Sequence, residues 1–305
     1  MEIITYPELE SKNELFALME QALWWPLNPT EFEKVIKVDP RLQDSPIGFA
    51  ATENHRLIGF VGVMNLATRT LDGSKEKAGG IWGVATHPAY TRKGIATVLM
   101  QKAHQQFQEK RFRFSFLNTG RTNIAYRFYQ KLGYREILVY PSAYKLVKKP
   151  KKPAGKAEKK TKPDWNRILE IHQQATKNRT GLVIRNLQYM KTFGISKTIQ
   201  PQKTIQTEKG YVLLKEDEGN LRVKEINVLT REETSELLKR IEEKATKTII
   251  DRAVLNSQTL NVYQSRGYVV LKESYEVLMT KPLTKTATFQ EVYGDKFYLS
   301  SADSF

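Results

Sequence analysis

The chain has 305 residues and a mass of 35.2 kDa, which at roughly 150 residues per domain points to two domains. Apolar residues make up 40 % and charged residues 27 %, so each half has the means to bury its own core. The lack of cysteine excludes disulfides, thiolate metal sites and a cysteine nucleophile. No apolar run approaches the roughly 18 residues of a membrane-spanning helix. Residues 1–5 carry neither the basic nor the apolar region of a secretory leader. A soluble, cytoplasmic chain with no membrane partner is the expectation.

In chain order, residues 2–6 read as a short strand. Residues 8–23 read as a helix from the spacing of Leu9, Leu15, Leu18 and Met19. Trp24, Trp25, Pro26, Leu27, Asn28 and Pro29 form an aromatic loop closed by proline. Apolar runs at 47–52 and 57–64 flank Glu53-Asn54-His55-Arg56 and predict a hairpin. Strands are expected at 80–86, 112–117 and 134–140, and helices at 94–111 and 123–132, the last stopped by Gly133. Antiparallel strands followed by alternating strands and helices predict a mixed sheet of the α/β (α+β) class.

The net charge is +16 at pH 7. Nine lysines against the single Glu158 between Lys145 and Pro163 supply half of it. Such a Lys/Pro/Ala run buries no apolar area and predicts a solvated linker over 146–163. A tether is favoured over a polyanion contact, so nucleic acid is not the expected partner. The linker sets off a first domain at 1–145, a second at 164–283 and a tail at 284–305. In the second domain, helices are expected at 165–176 and 234–245, and strands at 209–214 and 221–229 around Asp217-Glu218-Gly219-Asn220. Tyr129-x3-Gly133-Tyr134 recurs as Tyr263-x3-Gly267-Tyr268, each a few residues after an asparagine, Asn123 or Asn256. An internal duplication follows.

The richest segment runs from Gly80 to Met100. A strand ends at Thr86, a basic turn holds Arg92 and Lys93, and Gly94 opens a helix. Amides at a helix start are unpaired and sit at the positive dipole end, so they suit a phosphate. Small Ala96 and Thr97 leave the first turn uncrowded, and Arg92 adds bidentate charge. An ordinary strand–turn–helix with a solvated turn is the plain alternative.

Thr91-Arg92-Lys93-Gly94-Ile95-Ala96 resembles the pyrophosphate loop of the GNAT superfamily of acetyl-CoA-dependent N-acetyltransferases, with Thr91 departing from the usual Arg/Gln. Asn123-Ile-Ala125-Tyr-Arg-Phe-Tyr129-Gln-Lys-Leu-Gly133-Tyr134 resembles the second family signature, 29 residues after Gly94. The repeat is similar to the tandem, enhanced-intracellular-survival branch. The resemblance implies two GNAT-like domains, the first catalytic and the second degenerate, because Thr230-Arg-Glu-Glu-Thr234 lacks glycine and carries two carboxylates.

The same resemblance implies acetyl-CoA as co-substrate, no metal, and direct acetyl transfer to a primary amine on a small molecule or protein. It places pantetheine on Val84, Ala85 and Thr86, pyrophosphate on Arg92, Lys93, Gly94, Ile95, Ala96 and Thr97, and Asn123 near the pantetheine arm. It makes Tyr129 the general acid; a core aromatic packed with Phe128 and Leu132 is the alternative. No carboxylate lies on 81–86, so the Phe305 carboxylate, Asp303, His87 or a water is left as base. His87 also reads as a turn cap, and His104 as a solvated helix residue. Trp24, Trp25 and Tyr90 either line the acceptor pocket, with Asp303, or cover the core. A non-catalytic acyl-CoA sensor would keep the phosphate turn without needing Tyr129. A homo-oligomer is left open.

Overall fold

A computed structural model describes residues 1–25, 28–147, 162–254, 256–272 and 275–304. The linker expected at 146–163 lies outside the described residues from 148 to 161. In chain order the elements are β1 (Glu2–Thr5), α1 (Lys12–Leu23), α2 (Pro29–Val38), β2 (Gly48–Glu53), β3 (Arg56–Arg69), β4 (Lys75–Thr86), α3 (Ile95–Glu109), β5 (Phe114–Gly120), α4 (Ile124–Lys131), β6 (Arg135–Val139) and β7 (Ser142–Leu146). After the linker come α5 (Trp165–Ala175), β8 (Thr180–Gly181), α6 (Leu187–Ile195), β9 (Ile205–Gln206), β10 (Gly210–Asp217), β11 (Asn220–Val228), α7 (Arg231–Lys244), β12 (Thr248–Asp251), α8 (Ser257–Ser265) and β13 (Val269–Leu271). The last elements are β14 (Glu276–Pro282), α9 (Phe289–Tyr293) and β15 (Phe297–Tyr298). Among the described residues no helix is long and apolar enough to cross a membrane.

Two compact units result, and their boundaries correct those drawn at the linker. The first comprises Met1–Ile137 and Leu278–Asp295; the second comprises Leu138–Val277 and Lys296–Ser304. The cause is strand pairing. In the first unit the sheet runs β1-β2-β3-β4-β5-β14-β6, so a strand from the far end of the chain fills the place between β5 and β6. Thr280 donates to the Ser115 carbonyl at 3.1 Å and the Leu283 amide to that of Arg113 at 2.8 Å, fixing the insertion. In the second unit the order is β13-β7-β12-β11-β10-β9, with β7 supplied from just past the first half. Strand β14 thus comes to the first unit's sheet from the second half of the sequence, and β7 comes to the second unit's sheet from the first half.

Local chemistry explains most elements of the first unit. The hairpin at 53–56 closes with Asn54 and His55 at φ 51° and 62°, the left-handed pair that a two-residue turn demands. Most of β3 from Leu57 is buried, as a strand covered on both faces requires. Helix α2, for which the sequence carries no expectation beyond the proline-closed loop ending at Pro29, starts where the Asn28 side chain accepts from the Glu31 amide at 3.0 Å and Pro29 occupies the first turn. Helix α1 buries Leu15, Leu18 and Met19, and α3 buries Leu99, Met100, Ala103 and Phe107; each such side chain contributes about 1.5–3 kcal/mol.

The second unit has two apolar clusters, one around Leu237, Ile241 and Tyr263 and one around Ile171, Phe193 and Tyr211. A charged knot is buried in the same unit. Arg185 donates to Glu225 at 2.8 and 2.5 Å and to Asp303 at 3.0 and 2.6 Å. The hydroxyls of Tyr189 and Ser300 donate to Asp303, and that of Tyr211 donates to Glu225. Arg185 and Glu225 are 6 % and 5 % exposed, so each charge depends on its partners.

Candidate active site

The site begins with a parting of strands. In the first unit β4 and β5 pair in parallel only at Gly79↔Ser115 and Gly80↔Phe116, although β4 continues to Thr86 and β5 to Gly120. The reason lies in β4. Its register against β3 shifts between Phe60↔Ala85 and Gly62↔Trp82, which makes Gly83-Val84 a bulge, and Gly83 takes φ 56°. Beyond it, Ala85 and Thr86 stay bonded to β3, and the edge of Val84, Ala85 and Thr86 toward β5 has no strand partner.

At the end of β4 the chain makes a basic turn. Arg92 has φ 62° and Gly94 φ 80°, and alternating left-handed residues point successive amides inward. Gly94 caps α3 with no side-chain hydrogen bond, and the first helical bond there runs from Val98 N–H to Gly94 O at 3.1 Å. The amides of Ile95, Ala96 and Thr97 thus have no described backbone partner. A Cβ built at Gly94 meets nothing within 4 Å, so the space before the amides is open. Lys93 lies 4.6 Å over the Tyr90 ring, and Arg92 and Lys93 are exposed beside this cradle. The donor set fits a pyrophosphate.

Tyr129 sits on α4 and is 7 % exposed. Burial raises its pKa well above the ordinary phenol, so the hydroxyl holds its proton at neutral pH. Among the described residues that hydroxyl has no hydrogen-bond partner. Tyr134, edge-on to Tyr129 at 6.0 Å, is anchored at its own hydroxyl by Ser115 Oγ at 2.7 Å and His104 Nε2 at 2.9 Å. His104 is thus 6 % exposed and not solvated: helix α3 turns it onto the sheet, and burial first, then Lys281, lowers its pKa to about 4. Asn123 caps α4, its side chain accepting from the Ala125 amide at 3.0 Å.

On the other candidates the structure is equally specific. His87 Nδ1 accepts from the Ala89 amide at 3.2 Å, which makes it the cap of its turn. Tyr90 meets His87 edge-on at 5.7 Å, on the phosphate side. Trp24 ends α1 at φ 52° and is 87 % exposed, and Trp25 stacks edge-on to Trp82 at 6.1 Å. Asp303 is buried in the second unit's charged knot, and its carboxylate is occupied by Arg185, Tyr189 and Ser300; this replaces the expected acceptor contact. Phe305 lies outside the described residues.

Two atoms that sequence reasoning missed lie where the strands part. Among the described residues, Trp82 Nε1 and Asn118 Oδ1 are buried without a hydrogen-bond partner. Continuing the β4/β5 register by two residues puts them at one level. Such orphaned groups mark a place where a ligand or water completes the bonding. The signal for Asn118 was a lone amide after the apolar run 114–117.

An acyl-CoA-binding transferase is the class that parted parallel strands, an amide cradle and a protonated tyrosine define. Residues 14–134, within the first unit, match the Acetyltransferase (GNAT) family model. No curated protein sequence matches the chain significantly. Solved structures share the fold along most of its length. A GCN5-related N-acetyltransferase from Kribbella flavida aligns at TM-score 0.66 and 15 % identity, covering 92 % of this chain and 72 % of that one. Eis1 from Mycobacterium abscessus aligns at 0.60 and 13 %, covering 93 % and 74 %. A putative acetyltransferase from Pyrococcus horikoshii aligns at 0.56 and 14 %, covering 97 % and 94 %. The tandem fold expected from the repeat is thereby present.

Proposed function

We propose that the first unit transfers acetyl directly from acetyl-CoA to a primary amine. The parting of β4 from β5 beside the bare amides of α3 carries this reading, since it supplies both a strand edge for pantetheine amides and a cradle for pyrophosphate. Val84, Ala85 and Thr86 offer the edge; Arg92, Lys93, Gly94, Ile95, Ala96 and Thr97 hold the phosphates; Asn123 caps the helix beside the arm.

In the reaction the amine nitrogen attacks the thioester carbonyl and gives up a proton to water, the C–S bond breaks, and the thiolate takes a proton from Tyr129, which is reprotonated from solvent. Burial keeps the Tyr129 phenol protonated at neutral pH, so a proton is in place when charge develops on the thiolate. Tyr134 acts through Tyr129 as a positioning residue, fixed by Ser115 and His104. Trp24 and Trp25 offer ring faces to an ammonium acceptor. The test is CoA release from acetyl-CoA against a panel of polyamine, aminoglycoside and peptide amines. Turnover on at least one amine, lost on adding Tyr129→Phe, supports transfer; tight binding with no turnover on any amine makes the unit an acyl-CoA sensor.

A further inference from the structure

The first unit has a concavity apart from the parting of β4 and β5. It lies between α1, the start of β3 and the turn 87–90, and its volume is about 220 Å³. Glu14, Ala17, Leu18 and Gln21, at spacing i, i+3, i+4 and i+7, lay one stripe of α1 along it. None of its lining residues belongs to 79–86 or 114–120, the stretches that frame the proposed thioester cleft. A cavity of roughly 150 Å³ takes a benzene ring, so this one has room for a molecule of amino-acid size.

The floor of the cavity is apolar, since Leu18, Leu57 and Ile58 are all buried. Its remaining lining carries both signs of charge. Glu14 Oε2 accepts from the Leu57 amide at 2.7 Å, which fixes the carboxylate at the start of β3. Among the described residues its other oxygen has no hydrogen-bond or ion-pair partner. Arg56 stands opposite Glu53 in the hairpin register, yet among the described residues neither makes an ion pair. His87 accepts from the Ala89 amide on Nδ1 at 3.2 Å, so the proton of the neutral ring is on Nε2, a free donor. The Tyr90 hydroxyl also has no partner among the described residues.

A half-buried carboxylate with a free oxygen calls for a cation, and an unpaired guanidinium beside an imidazole N–H calls for an anion. The apolar floor calls for a hydrocarbon chain on the same molecule. We propose that this cavity binds a free α-amino acid with an aliphatic side chain. The ammonium meets Glu14, the carboxylate meets Arg56 and His87 Nε2, and the side chain covers Leu18, Leu57 and Ile58. His87 and Tyr90, which the transfer reaction leaves unused, then serve a second ligand.

Calorimetric titration of the full chain with L-leucine, without and with saturating CoA, tests this. One leucine per chain is expected in both. Isoamylamine and isocaproate keep the hydrocarbon chain and lose one charge each. Each should bind on the order of tenfold or more weaker than leucine, as for loss of a charged hydrogen bond. Glu14→Gln, which keeps an acceptor for the Leu57 amide, and Arg56→Met should each weaken leucine by a similar factor. The analogue comparison uses the parent chain, so a folding defect in a variant cannot imitate it. No step of the titration needs acetyl transfer, so a failure of the proposed reaction is read separately. No heat beyond a sodium chloride control, an analogue that binds as tightly as leucine, an affinity untouched by both variants, or loss of leucine when CoA is bound would each overturn the proposal.

Discussion

The two tyrosine turns of this chain are built alike and used differently. Asn123 and Asn256 cap α4 and α8 with the same side-chain bond two residues on, at 3.0 and 2.8 Å. Gly133 and Gly267 both end the helix with positive φ, and Tyr134 and Tyr268 each return an amide to the earlier tyrosine's carbonyl at 3.1 Å. At the hydroxyls they part company. Tyr263 donates to the buried carboxylate of Asp251 at 2.9 Å, whereas the Tyr129 hydroxyl has no hydrogen-bond partner among the described residues. Local backbone grammar outlives function because helix capping does not depend on what the side chain does next.

The phosphate turns diverge more sharply. Where α3 opens behind Gly94 with bare amides, α7 opens with Glu232 and Glu233 in its first turn, and Glu233 packs on Gly210 while accepting from Thr207. Carboxylates at that end satisfy the helix dipole from within and repel a phosphate. On the proposed function, one unit keeps an acyl-CoA site and the other is closed to it.

Several changes sharpen this contrast, beginning with the largest effect. A fragment of residues 1–147 lacks β14 and α9, leaving a gap between β5 and β6; it should show no cooperative thermal transition by circular dichroism, and a sharp melt like the full chain's would break the account of exchanged strands. Arg185→Met leaves Glu225 and Asp303 buried without their guanidinium partner, so urea denaturation should report a loss of about 3–5 kcal/mol. Tyr129→Phe should lower turnover about 10²-fold at unchanged acetyl-CoA affinity. Tyr263→Phe should leave turnover alone and cost about 1–3 kcal/mol of stability; equal kinetic effects of the two would erase the distinction.

The smallest effect is on pH. Burial lowers both His104 and His172 to about 4 from the usual 6.5. The unfolded chain then binds more protons between those values, so their contribution is present above pH 6.5 and is lost as pH falls toward 4. A thermal midpoint that stays flat over that window would contradict the burial of both rings.

The hairpin turns and the strand–turn–helix between Gly80 and Met100 were legible in the sequence because each depends on neighbours within a few residues. Strand exchange was not: nothing local in 142–146 or 276–282 says which sheet it will join, and the lysine linker suggested a cleaner cut than the pairing allows. His104 was misread because the helix face it occupies is decided by Ser115 and Tyr134, on later strands. Asp303 was misread for the same reason, since Arg185 lies 118 residues away. Short-range chemistry writes itself into sequence, and long-range partners do not.

The central claim is that one cleft of two retains acetyl-CoA. Titrating acetyl-CoA into the full chain by calorimetry, beside Gly94→Glu, tests it most directly. The variant places a side chain at φ 80° and a negative charge in the amide cradle. The account predicts one site per chain in the parent and none in the variant; two sites, or one that survives Gly94→Glu, would contradict it.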